Sequence, residues 1–121
     1  MSDVVATLKT ARDFLDKHGW TKRATAVNAM GEPCPPKSPG AVCFCALGAL
    51  AATIPDVKSG AMWISRDFRI AARHLNLAIP PEVRGVSVAT YNDTLASDKS
   101  DVLALFDVAI EHASERSVEE D

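Results

Sequence analysis

Twelve consecutive residues, Ala41 to Ala52, carry no charged, amide or hydroxyl side chain, and this run limits what the chain can become. A helical membrane span needs about 20 apolar residues. So short a run must instead be buried in protein, and the remaining chain has to wrap it. Proline stands on either side, at Pro39 and Pro55. Ser38 before Pro39 reads as an N-cap followed by proline at the first helical position, which predicts a helix over residues 39–53. Val42, Phe44, Leu47 and Leu50, with Ala46, Gly48, Ala49 and Ala52 between them, make it apolar nearly all round. Such a helix belongs at the centre of a domain.

The wrapping elements follow from hydrophobic spacing. Val4, Leu8, Ala11 and Leu15 fall on one helical face, with Phe14 widening it, and Ser2 or Asp3 is placed to cap a helix over 3–18. Gly19 reads as its left-handed stop, with Trp20 folding back on Leu15. Ile64, Phe68, Ala71 and Leu75, with Trp63 and Ala72 nearby, predict a helix over 61–77, closed by Pro80-Pro81. Val102, Leu103, Phe106, Ala109, Ile110 and Ala113 predict one over 100–113, with Asp101 in its first turn. Residues 21–38 hold Gly31, Pro33, Pro35 and Pro36 and read as one long loop. Val86 and Val88 alternate as a strand would. A lone strand has no partner, so a short helical turn near 87–92, capped by Ser87, is expected. The fold class is therefore mainly α. It is a compact bundle of four principal helices in one domain over 1–113, followed by a frayed acidic tail over 114–121.

A chain of 121 residues supports one hydrophobic core. Its net charge of −3 argues against a general nucleic-acid coat. The charge is unevenly placed. Residues 98–121 carry eight acids against two bases, or −6, and the rest carries +3. The excess bases fall in the 21–38 loop and on Arg66, Arg69 and Arg73, spaced along one helix face. Solvated faces, or salt bridges from these arginines to the acidic last helix, account for the split. Met1-Ser2-Asp3-Val4-Val5 does not read as a signal peptide. Three cysteines without a C-x-x-C pair make a secreted disulfide framework improbable. The expected compartment is the reducing cytoplasm, with no membrane association.

Several segments occur in a telling order. They are Leu8-Lys9-Thr10-Ala11-Arg12-Asp13-Phe14-Leu15, Gly19-Trp20, Cys45-Ala46-Leu47-Gly48-Ala49-Leu50, Tyr91-Asn92-Asp93 and Val102-Leu103-Ala104-Leu105. From about Leu8 to Ala113 the chain resembles a family of small bacterial domains, frequent in actinobacterial and phage genomes. That family's pattern runs L-x-x-A-R-x-x-L, G-W, C-x-L-G-A-L, W-N-D and a V-L-A-L helix, with Tyr91 here in place of the tryptophan. The resemblance implies the fold and a bacterial or phage origin. It brings no reaction with it.

Candidate chemistry is sparse. Cys45, His74 and Asn92 or Asp93 follow the chain order of a cysteine nucleophile, a base and an orienting group. Cys45 lies within the apolar run, however, and burial makes a thiol inert. Cys34, Cys43 and Cys45 with His18 or His74 do not have a zinc spacing, and two cysteines two apart on a helix diverge by roughly 200°. No metal or other cofactor is expected. Asn92 and Asp93 are the polar pair of interest. They serve a turn, or line a small polar site with Trp20 and the loop. Trp63 reads as core. The expected function is that of a small accessory or regulatory protein acting through a protein partner, phage- or mobile-element-encoded and directed at a host protein, with self-association also open. The alternatives are a cysteine-dependent enzyme, and a nucleic-acid module using Arg66, Arg69 and Arg73.

Overall fold

The computed structural model describes residues 3–58, 62–83 and 85–120, with side chains described as far as Glu115. The domain is mainly helical and carries a small three-stranded sheet. The first helix, α1, spans Val4–Lys17. Asp3 caps it, its Oδ1 accepting from the Val5 N–H at 3.0 Å. The expected face is buried: Leu8, Ala11 and Leu15 are fully enclosed. Strand β1 (Gly19–Trp20) follows directly. Gly19 is not the left-handed stop expected, because positive φ among the described glycines occurs at Gly31 and Gly85. Its smallness serves close packing, since a Cβ there would overlap Cys43 Sγ.

The expected long loop contains structure. Strand β2 (Ala26–Asn28) leads into a tight turn in which Asn28 Oδ1 accepts from the N–H groups of Met30 and Glu32 at 2.9 and 3.0 Å. The chain then returns so that Pro33 bridges Val27. Strand β3 (Ala41–Phe44) lies between the other two, parallel to β1 and antiparallel to β2. Ser38-Pro39 therefore begins a turn, with the Ala41 N–H on the Ser38 carbonyl at 3.1 Å, and not a helix. The expected helix over 39–53 is half strand and half helix. Helix α2 spans Ala46–Thr53, and Cys45 is its cap. Composition could not divide the run, because strand and helix are equally apolar when both are buried. The neighbours Gly19-Trp20 and Ala26–Asn28 decide it by satisfying the β3 backbone on both sides.

After α2 the chain makes a 3₁₀ turn over Met62–Ile64 and enters α3 (Arg66–Leu77), capped by Ser65, whose Oγ accepts from the Phe68 N–H at 3.1 Å. The expected start at residue 61 lies outside the described residues. Ile64, expected in the core stripe, precedes the helix and is 78% exposed, because the stripe begins with Phe68. Ser87 caps the short helix α4 (Val88–Thr90), which runs into a π-helical turn over Tyr91–Leu95. The final helix α5 (Lys99–Glu120) continues past Ala113, so the expected frayed tail is helical through Glu120. It packs on α1 and α3 through Val102, Leu105, Phe106, Ala109 and Ala113. Among the described residues its ion pair is with α1: Arg12 Nε donates to Asp107 Oδ1 at 2.6 Å. Among the described residues, Arg66, Arg69 and Arg73 make no ion pair with α5; Arg69 donates instead to the carbonyls of Trp63 and Ile64.

Candidate functional site

The π-helical turn drops Asn92 into the centre of the domain. The Ala96 N–H closes that turn on the Tyr91 carbonyl at 2.8 Å. Asn92 is 1% exposed, and an amide so deeply buried must find partners for all of its polar atoms. It does. Its Oδ1 accepts from Trp20 Nε1 at 2.8 Å and from the Ala46 N–H at 3.1 Å. Its Nδ2 donates to the Thr21 carbonyl at 3.1 Å and to Asp93 Oδ1 at 3.0 Å. The same carboxylate oxygen accepts from the Arg23 N–H at 2.8 Å. Arg23 has φ 66°, a left-handed conformation uncommon for a non-glycine residue, and this bond helps hold it there. Lys22 lies 5.3 Å over the Trp20 ring.

Cys45 directly precedes Ala46, whose N–H this amide accepts. Its Sγ accepts from the Gly48 N–H at 3.2 Å, and its own N–H donates to the Thr25 carbonyl at 3.1 Å. Helix α2 is pressed so closely on Thr25 that a Cβ on Gly48 would overlap the Thr25 carbonyl. Burial pushes the Cys45 thiol pKa up; hydrogen bonds from the Gly48 and Leu47 N–H groups oppose this, and the Asp93 charge adds to it. The thiol serves as the cap of α2, and its raised pKa disfavours the thiolate that a nucleophile requires.

The structure thus brings Trp20, Cys45, Asn92 and Asp93 together. With four hydrogen bonds made, the Asn92 amide has no capacity left to orient an imidazole. His74, the third member of the sequence order, is half-buried in the last turn of α3. Among the described residues no three His, Cys, Asp or Glu side chains converge as metal ligands. No helix among them is long and apolar enough to cross a membrane.

A second cluster lies at the start of α3, and the sequence reading missed half of it. Trp63 was expected in the core. It is 56% exposed, beside Ile64. Its ring meets Phe68 edge-on, with centroids 4.8 Å apart, so one side anchors it while the rest faces solvent. The turn is braced from beneath. Arg69 Nη1 donates to the Trp63 and Ile64 carbonyls at 2.8 and 2.7 Å, and the Ser65 Oγ donates to Asp56 Oδ1 at 2.8 Å. Arg66 and Arg73 are exposed alongside and make no ion pair among the described residues. The signal that could have exposed this is Ser65-Arg66-Asp67-Phe68. A serine three residues before a core phenylalanine is a capping position, and it leaves Trp63 and Ile64 outside the helix.

Fold and network together define a small, mainly helical domain whose separate segments are stitched through one buried asparagine. Residues 1–112 match the profile of a family of unknown function, DUF6197, and the chain belongs to that family. No curated protein and no solved structure matches it.

Proposed function

We propose that this chain is a small, non-enzymatic interaction protein that docks another protein through the surface formed by Trp63, Ile64, Arg66 and Arg73. The observation that carries the reading is the exposure of Trp63 and Ile64 on a turn that Arg69 and Ser65 hold rigid. Tryptophan and arginine dominate the energetic centres of protein interfaces, and a rigid knob loses little entropy on binding. Large apolar side chains gathered at one exposed point are a common mark of a protein-interaction site. The bacterial or phage setting, which rests on the sequence resemblance, the reducing cytoplasm, which rests on the cysteine content, and a regulatory role towards a host protein belong to the same proposal.

Trp63 beside arginines also supports a second reading, single-stranded nucleic-acid binding by stacking on the indole. Ile64, the more exposed of the two apolar residues, has no counterpart in that chemistry. The acidic net charge of −3 weighs the same way. Less supports the cysteine-dependent enzyme, whose thiol is enclosed and serves as a cap.

A photoreactive benzoylphenylalanine in place of Ile64, irradiated in cells, tests the docking reading. It should give a discrete cross-linked protein adduct that Arg73→Glu abolishes. The same probe in place of Lys9, exposed on α1, should give none. No adduct from position 64, or a nucleic-acid adduct instead, refutes it.

A further inference from the structure

The docking surface continues along α3. Arg66, Arg69, Arg73 and Leu77 follow one another at intervals of three and four residues, which places them on one helical stripe. All four are exposed, with Leu77 at 43%. The stripe lies opposite the face that buries Phe68, Ala71, Ala72 and Leu75. Arg69 ties it to the knob, since its Nη1 donates to the Trp63 and Ile64 carbonyls and its other donors are left over. Along this surface the order is therefore apolar, basic, apolar: Trp63 and Ile64, then three arginines, then Leu77.

The charge on that stripe is of one sign. Asp67, the one acid of α3, is half-buried and off the stripe. Among the described residues the three arginines make no ion pair. They stand within about one screening length of each other, so they repel one another until a negative partner arrives.

Their spacing selects the form of that partner. At 1.5 Å of rise per residue, Arg66, Arg69 and Arg73 follow at ~4.5 and ~6 Å, and Leu77 lies ~6 Å further on. Carboxylates placed three or four residues apart on a helix rise by the same steps. Same-face side chains of an extended strand recur every ~6.6 Å. A strand would fall out of step, because the ~10.5 Å from Arg66 to Arg73 lies between one such repeat and two. The phosphates of a nucleic acid would meet the arginines but leave Ile64 and Leu77 uncovered.

We infer that the partner lays an acidic helix along α3. Its docking face carries three carboxylates about one turn apart, set against Arg66, Arg69 and Arg73. A large apolar side chain stands at each end of them, one against Trp63 and Ile64 and the other against Leu77. This inference rests on the docking reading and states the chemistry of its partner.

A fluorescein-labelled helical peptide of about 18 residues, ~27 Å long, tests it by anisotropy with the full chain at low salt. One face carries leucine, three glutamates and leucine at successive one-turn intervals. A second peptide of the same composition has its glutamates moved to the opposite face. The first should bind about 10-fold tighter than the second or better, and should be released by about 1 M salt. Arg73→Glu and Leu77→Ser, both at exposed positions, should each weaken it by about 10-fold or more while leaving the far-ultraviolet spectrum unchanged. No binding by the first peptide, equal binding by the two, or a preference for a single-stranded oligonucleotide of matched charge overturns the inference. If the position-64 probe captures a protein in cells while the acidic peptide does not bind, the inference fails and the docking reading stands. No adduct at position 64 refutes the docking reading, and this inference with it.

Discussion

Replacing Asn92 with alanine should remove much of the stability of this domain. The substitution takes away the acceptor for the Trp20 indole N–H and the Ala46 N–H, and the donor for the Thr21 carbonyl. The three losses are not equal. Ala46 is enclosed, at 1% exposure, so its N–H has no water to turn to. An unsatisfied buried donor costs about 1–3 kcal/mol. Trp20 and Thr21 are half-buried and regain part of their bonds from solvent, so each adds about 0.5–1 kcal/mol. The sum is about 2–5 kcal/mol, a large share of the roughly 5–15 kcal/mol that holds a domain together. For a chain of this size, at about 4 °C per kcal/mol, it corresponds to a fall in Tm of roughly 8–20 °C. Thermal and urea melts followed by circular dichroism read it directly. The near-isosteric Asn92→Asp adds a sign. Its new carboxyl would be buried beside Asp93, which raises its folded pKa above the unfolded value. The stability it retains is then greatest in acid and is lost as pH rises through the folded pKa, so the deficit from wild type grows towards neutrality. A fall of less than about 3 °C for Asn92→Ala would refute the reasoning that the amide is the domain's internal staple.

Other substitutions separate packing from charge. Gly48→Ala would gain about 1 kcal/mol in an open helix, but here the new methyl meets the Thr25 carbonyl, and the overlap should win by about 1–3 kcal/mol in denaturant melts. Cys45 should resist iodoacetamide in the native protein while the half-buried Cys34 and Cys43 react; labelling read by mass spectrometry contradicts this if Cys45 is modified as fast as they are. Asp107→Asn should cost only about 0.5 kcal/mol despite the 2.6 Å contact, because Arg12 is partly exposed and Asp107 more than half so, which leaves the pair screened by water. At the start of α5, bonds from the Ser100 hydroxyl and the Asp101 N–H lower the Asp98 pKa. Its stabilising effect is therefore present above the unfolded pKa and lost as pH falls through the folded one. The protection of amides in the first turn of α5, measured against their intrinsic exchange rate at each pH, should fall in acid.

The helices were legible wherever a solvated face sets off a buried one. Leu8, Ala11 and Leu15 on α1, and Phe106, Ala109 and Ala113 on α5, announce themselves by spacing against charged neighbours. The run from Ala41 to Ala52 was illegible for the opposite reason. It is enclosed on nearly every side from Phe44 onward, so it has no polar face to mark a period of two or of 3.6. Its division at Cys45 depends on Gly19-Trp20 and Ala26–Asn28 lying alongside, which is tertiary information. The grouping of Trp20, Asn92 and Asp93 could be suspected from a polar pair standing near an apolar turn. That Asn92 spends every polar atom on Trp20, Thr21, Ala46 and Asp93 could not, since those partners are brought together only by the completed fold. Trp63 was misplaced because aromatic residues next to a helical stripe usually belong to it. The cap at Ser65 moved the helix start and left the indole outside.

The segments that carry the family resemblance also find a physical role here. Gly19-Trp20, Cys45-Ala46 and Asn92-Asp93 meet at one amide, and Arg12 of the first segment pairs with Asp107 of the last helix. These residues are occupied with holding the chain together. That leaves Trp63 and Ile64, more than half exposed at the start of α3, as the surface through which we propose a partner is met.

The two tryptophans differ in just this way: Trp20 is tied to the buried amide, and Trp63 stands exposed on the proposed docking surface. Hydrogen exchange of their indole N–H groups, followed by NMR, tests it most directly. The Trp20 proton, bonded at 2.8 Å to a buried amide, should exchange slowly and stay protected until the domain opens. The Trp63 proton, on a side chain in a residue 56% exposed, should exchange near the rate of a free indole. Two fast indoles would remove the staple from the account, and two slow ones would remove the exposed knob.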